Sequence, residues 1–238
     1  DTTIDGASID SRSVRPDQLF VPIVAERDGH DFIKSALDGG ATAYLSSRVD
    51  PVGGTAIRVA DTALALADLG RAVRARVPDR VVGITGSVGK TSTKDLLAGV
   101  LRTTYRTAAS EKSFNNELGL PITLAAAADD VEAVVLEMGA RGVGHIDLLC
   151  SIAKPTVGVI TRVEGVHLEL FGDIESVARA KGELVESLPA DGIAVLNADH
   201  RYVAAMADRT SARVLRYGLS PDADVYASDI VLDDELRA

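Results

Sequence analysis

The feature that most constrains this chain is an alternation that begins at residue 81. Short, continuous, β-branched runs at Val81–Thr85, Ala133–Met138, Thr156–Thr161 and Ile193–Leu196 are separated by helical segments at Ser92–Leu101, His145–Ile152 and Ile174–Leu188. Runs of that kind suit parallel strands buried on both faces. Their alternation with helices predicts an α/β domain with a mostly parallel sheet and right-handed crossovers. Ligands in such sheets bind beyond the carboxyl ends of the strands, so the residues just after each run are the candidates for chemistry.

The first 77 residues read as a smaller mixed α/β unit. Gln18–Val24, Ala43–Leu45 and Ala56–Val59 are strand candidates. Asp31–Leu37 reads as a helix stopped by Gly39-Gly40, and Asp61 is placed to cap a helix that begins at Thr62. The charged stretch Arg74–Arg80, which contains Pro78, breaks the pattern and marks a domain boundary at 76–80. Two domains, 1–77 and 78–238, fit 238 residues. No repeat appears, and the one biased run is Ala125–Ala128.

Composition narrows the function classes. Acidic residues number 35 against 25 basic ones, a net charge of −10, which disfavours a nucleic-acid or anionic-membrane surface. One cysteine, Cys150, excludes a disulfide framework or a multi-cysteine metal site. No apolar run approaches the roughly 20 residues of a membrane helix, and DTTIDGASIDSR has neither the basic nor the apolar region of a signal peptide. A cytoplasmic protein without membrane insertion is expected. With 4% aromatics and no Trp, its core must be aliphatic.

Beyond the Val81–Thr85 run lies Thr85-Gly86-Ser87-Val88-Gly89-Lys90-Thr91, followed by a helix. Amides freed by glycines at a helix N-terminus cradle phosphate. Lys90 would reach the β- and γ-phosphates, and the Thr91 hydroxyl would ligate Mg²⁺. The match to G-x-x-x-x-G-K-[ST] is incomplete, because Ile84 takes the place of the first glycine. Glu137, at the end of the next run, is placed to hold the Mg²⁺ that bridges the phosphates. His167, with Glu169 as a nearby alternative, follows a third.

Lys181 lies in the stripe formed by Ile174, Val177, Ala178, Leu184, Val185 and Leu188. A lysine on a buried face is costly unless paired or neutralised. Two readings stay open on the residues alone. The stem snorkels to solvent, or the amine sits beside a site, where a lowered pKa favours reaction with carbon dioxide to a carbamate.

Seven blocks then occur in one order: DSRSVRPDQLFVPI (10–23), DGHDFI (28–33), TGSVGKTSTKDL (85–96), SFNNELGLPITL (113–124), LEMGARGVGHI (136–146), HLELFGDIESVARAKGEL (167–184) and VLNADH (195–200). Together they resemble the Mur ligases of bacterial cell-wall synthesis. SFNNELGLP and EMGARGVGHI favour the member that adds D-Ala-D-Ala to UDP-N-acetylmuramoyl-tripeptide.

The resemblance implies an ATP-dependent amide ligase acting through an acyl phosphate. It implies that Thr85–Thr91, Lys90 above all, hold the ATP phosphates. Thr91 and Glu137 would hold a first Mg²⁺, with His167 and a carbamate on Lys181 associated with a second. Asn115 and Asn116 would lie near the acyl phosphate, and Asn197 and Asp199 would seat adenosine. Ser11, Arg12, Asp28 and His30 would engage the UDP end of the substrate. Plainer roles stand beside these: turn caps for Ser11 and Asn115, a surface ion pair for Arg12, loop hydrogen bonds for Asp199.

Arg162 departs from the Asn usual in the family, and Glu164 from a common small residue; the two are close enough to pair. A monomer is expected. A related ligase with another amino-acid substrate and a nucleotide-binding module without turnover are the alternatives. The chain ends on DIVLDDELRA, so a truncated central domain without the family's C-terminal domain is expected, with binding but no turnover from residues 1–238 alone.

Overall fold

Two sheets, each parallel throughout, organise the computed structural model, which describes residues 3–49, 52–111, 114–127, 130–166 and 168–231. The smaller sheet runs β1 (Ala7–Ser8), β2 (Leu19–Phe20), β3 (Ala43–Ser46), β4 (Thr55–Arg58) in that order. Helix α1 (Ile33–Asp38) covers one face, where Phe20, Ile33, Ala36 and Tyr44 pack. Helix α2 (Thr62–Arg74) covers the other, through Leu66 against Leu19, Val21 and Leu45.

Local chemistry explains these elements. Asp61 accepts from the amides of Ala63 and Leu64, the capping that the sequence predicts. Gly40, at φ +104°, turns the chain out of α1 in a conformation that side chains with a Cβ disfavour. The expected strand at Gln18–Val24 is shorter. Pro22 has no N–H to give a ladder, and the chain folds back through a bridge between Val24 and Asp28. The helix expected at Asp31–Leu37 opens instead as a 3-10 turn at Gly29–Phe32 before α1.

The larger unit follows as β5 (Val81–Thr85), α3 (Lys90–Leu101), β6 (Thr107–Ala109), α4 (Gly119–Ala125), β7 (Ala133–Glu137), α5 (His145–Ala153), β8 (Val157–Ile160), α6 (Leu168–Phe171), α7 (Ile174–Glu186), β9 (Ile193–Asn197), α8 (Arg201–Ala204), β10 (Arg213–Gly218) and β11 (Val225–Tyr226). The sheet order is β11-β10-β9-β8-β5-β7-β6. β5 is therefore the strand at which the connections diverge, with β8 on one side and β7 on the other. A crevice opens at the carboxyl ends of such a pair.

Helix α3 packs on one face through Ala98 against Val82, Ile84, Val135 and Val159. The other face holds the main core, from Leu136, Ile146, Leu149 and Ile152 to Val177 and Leu184. Gly83 in β5 and Gly158 in β8 set how close α7 comes: a Cβ on either would press on Leu184 at about 3 Å. That close seat brings Lys181, one turn before Leu184, to the mouth of the crevice. The two sheets are joined where α4 meets α2, with Ile122 against Leu66.

Candidate active site

The segment after β5 is held in place by the segment after β8. Gly86 has φ +152°, and a Cβ there would collide with Thr161 Oγ1. Ser87 N–H donates to Arg162 O (2.6 Å). Ser87 Oγ accepts from Glu164 N–H (2.8 Å) and donates to Glu164 O (3.1 Å). Thr161 Oγ1 donates to Val88 O (2.7 Å), and Thr85 Oγ1 to Met138 O (2.8 Å). Gly89, at φ +85°, then feeds the chain into α3. The result is a rigid, glycine-bent loop at a helix N-terminus, with Lys90 Nζ folded onto Gly86 O at 2.9 Å.

Across the crevice Glu137 ends β7 and is only 2% exposed. Its Oε2 accepts from Thr91 Oγ1 (2.8 Å), its Oε1 from Asn115 Nδ2 (2.9 Å), and its own N–H donates to Ser110 Oγ (3.1 Å). An alcohol and a buried carboxylate thus meet at one point, the oxygen-rich donor set that Mg²⁺ takes. Among the described residues no cluster of three or more His, Cys, Asp or Glu side chains forms a cage. His167 lies outside the described residues.

Lys181 is 4% exposed and has no hydrogen-bond or ion-pair partner among the described residues. Burial pushes its ammonium down to about 8, and the nearby Lys90 charge adds to the shift. The buried-amine alternative, not the snorkelling one, describes this side chain. It lines a cavity of about 230 Å³ with Gly86, Ser87, Lys90, Asn115 and Asn116. Asn116 Oδ1 also accepts from the amides of Leu118 and Gly119, so it caps the turn into α4.

Three further lining residues, Glu117, Arg141 and His145, escaped the sequence reading. Each sits within a quoted motif but outside its phosphate-binding and strand-end positions. Glu183 also escaped it. Buried beside α5, it accepts from the amides of Gly144 (2.6 Å) and Asp147 (3.0 Å) and ties the start of α5 to α7.

Asn197 ends β9 and Asp199 follows it, on the far side of β8 from Glu137. Asn197 Nδ2 donates to Thr161 O (3.2 Å), which links it to the glycine-bent loop. Asp199 accepts from the amides of Leu219 and Ser220, the loop role named as its plainer alternative. Arg162 and Glu164 form a close ion pair at the rim of this region.

The N-terminal candidates do not line the cavity. Arg12 is bound to Asp10 by two hydrogen bonds (2.7 and 2.9 Å), the surface ion pair already weighed for it, and that pair holds Asp10 down at about 2. Ser11 sits in the same turn. His30 is buried, with Nδ1 at 2.6 Å from Asp28 and Nε2 accepting from Ser47 N–H (3.1 Å). The His30 amide and ring hold Asp28 down at about 2, and Arg48 bonds its other oxygen. His30 is a fastener of the small sheet, with both ring nitrogens engaged inside the fold.

Family models meet the chain at these same segments. The Mur ligase middle domain matches residues 84–237, and the Mur ligase family catalytic domain matches residues 3–79. The chain belongs to the Mur ligase family. The UDP-N-acetylmuramoyl-tripeptide–D-alanyl-D-alanine ligase of Mycobacterium tuberculosis (strain ATCC 25618 / H37Rv) is 41% identical, covering 96% of this chain and 49% of that protein. The Bacillus subtilis (strain 168) ligase of the same name is 37% identical over 98% and 51%. Crystal structure I of MurF from Acinetobacter baumannii superposes at a TM-score of 0.85 with 29% identity, over 95% of this chain and 50% of that one. MurF from Thermotoga maritima in complex with ADP gives 0.83 and 33%, over 96% and 53%. This Mur ligase chain spans about half the length of the curated relatives it matches.

Proposed function

We propose that the chain acts in the ATP-dependent addition of D-Ala-D-Ala to UDP-N-acetylmuramoyl-tripeptide, a cytoplasmic step of peptidoglycan precursor synthesis. One observation carries the proposal: Lys90, Lys181, Asn115 and Asn116 line one cavity, and the Thr91–Glu137 pair adjoins it through Asn115. The matches to relatives named for this ligation span 96% of the chain.

Phosphoryl transfer asks for positioning and charge neutralisation more than for covalent help from the protein. The amides of Gly86–Thr91 and the Lys90 ammonium would hold the ATP phosphates. Thr91 and Glu137 would hold Mg²⁺, which when bound neutralises charge on the transferring phosphoryl group. The substrate carboxylate would enter the cavity past Asn115 and Asn116 and attack the γ-phosphorus, releasing ADP and giving an acyl phosphate; the dipeptide amine would then attack its carbonyl carbon, releasing phosphate and a proton as the amide forms. Lys181, with a pKa of about 8, leaves roughly a tenth of its amine neutral at pH 7. That fraction can add carbon dioxide, losing a proton, to give an anionic carbamate for a second Mg²⁺, with His167 as its companion. Asn197 and Asp199 would face the nucleoside. Residues 1–77, through Ser11, Arg12 and Asp28, would meet the UDP end, and 78–238 would bind ATP.

The test is phosphate release by the full-length protein with ATP and UDP-muramoyl-tripeptide. Release that depends on D-Ala-D-Ala is expected. Release that instead follows L-lysine or diaminopimelate would reassign the step, and ATP turnover indifferent to any amine would refute ligation.

A further inference from the structure

Lys94 takes no part in the chemistry above, yet it is buried to 4% exposure. A buried ammonium is expensive unless something holds it. Its Nζ donates to Ser110 O at 2.8 Å and pairs with Asp95 at 2.7 Å. Ser110, itself 2% exposed, follows β6, and its hydroxyl accepts the Glu137 N–H at 3.1 Å. Glu137 in turn takes the Thr91 hydroxyl at 2.8 Å. Thr91 and Lys94 are three residues apart on α3, on neighbouring positions of one helix face. A closed ring results: Thr91, one turn of α3, Lys94, Ser110, Glu137 and back to Thr91. An apolar residue would fill the space of the lysine stem without reaching Ser110 O. The ammonium ties α3 to Ser110, and through Ser110 to the Glu137 amide at the end of β7, beside the direct bond from Thr91 to Glu137.

We propose that Lys94 is a positioning residue that fixes the gap between Thr91 and Glu137, and with it the affinity of that gap for a divalent cation. The proposal rests on the reading of Thr91 and Glu137 as Mg²⁺ ligands. Groups that orient ligands without touching the metal change affinity by about 10–100-fold when removed.

The experiment titrates MgCl₂ into the full chain at fixed ATP, reads bound ATP by equilibrium dialysis, and checks folding by circular dichroism. In Lys94→Met the half-saturating Mg²⁺ rises about 10-fold, while the affinity for ATP in EDTA stays within about twofold. Lys94→Arg recovers part of the loss. Ser110→Ala, which removes the next link, raises the Mg²⁺ requirement similarly, and the double variant adds little more, as coupled members of one network do. Ser110→Ala carries the test alone if Lys94→Met does not fold. An unchanged Mg²⁺ requirement in folded Lys94→Met or Ser110→Ala overturns the proposal, as does an equal loss of ATP affinity with and without Mg²⁺. Glu137→Gln separates the two levels: an unaltered Mg²⁺ dependence there overturns the ligand reading itself.

Discussion

The Asp28–His30 turn of the smaller sheet and the crevice beyond β5 in the larger one each bury a basic side chain, His30 in one and Lys181 in the other, and treat it in opposite ways. At the turn, Asp28, His30, Ser47 and Arg48 bond one another, and His30 is only 2% exposed. In the crevice, Lys181 is nearly as buried but meets no partner among the described residues. A polar network satisfied within the chain holds a fold together. A buried amine left unsatisfied destabilises the fold and is retained where something outside the chain completes it. The difference between fastener and site therefore lies in the partners, not in the residue types.

The comparison is broken most severely at Lys181. Its folded pKa of about 8 lies below the unfolded 10.5, so the unfolded chain binds more protons between those values. Stability should therefore rise with pH across that window, and below it the unmodified ammonium costs on the order of 3 kcal/mol. Lys181→Met should raise stability at pH 7 by up to that amount and flatten the pH dependence, checked by urea melts at pH 7 and 9.5. The same change should lower turnover roughly 10²-fold, and Lys181→Ala should regain activity with short carboxylates if a carbamate is used. A less stable Lys181→Met with full turnover would erase the contrast.

The opposite result is expected at the turn. His30→Ala empties a buried site, removes the ring's bond to Asp28 and leaves the Ser47 amide without its acceptor, so a loss of about 2–4 kcal/mol in denaturant melts is expected, with ATP affinity unchanged. Weakened ATP binding with unaltered stability would make His30 a site residue after all. The smallest effect belongs to Arg12→Ala. Its exposed pair with Asp10 contributes little to stability, so the melting temperature should not move, and the KM for the UDP-linked substrate should rise a few-fold if Arg12 meets the UDP end. An unchanged KM would leave Arg12 as a surface ion pair alone.

Much of this division was legible in the residues, for physical reasons. β5, β7 and β8 are announced by unbroken apolar runs, because both faces of a central parallel strand are covered, and β9 by a similar run although one of its faces is only half-buried. β6 was missed: Thr107–Ala109 is three small residues long and carries no period. Helix α4 was hidden by Gly119 and Pro121, which the first turn of a helix tolerates. Lys181 stood out as a cation in an apolar stripe, but Lys94, in the polar run Thr91–Asp95, did not, although both are buried. Its partner is a backbone carbonyl 16 residues away, and composition carries no sign of that. His30 misled for a similar reason. Asp28-Gly29-His30 has the composition of an exposed turn, and only the approach of Ser47 buries the ring.

The account stands on the claim that the glycine-bent loop after β5 is a phosphate cradle completed by Lys90. Calorimetric titration of MgATP into the wild-type chain and Lys90→Ala tests that claim most directly. Saturable binding that is lost in folded Lys90→Ala is the predicted result, and equal affinity in the two proteins would contradict it.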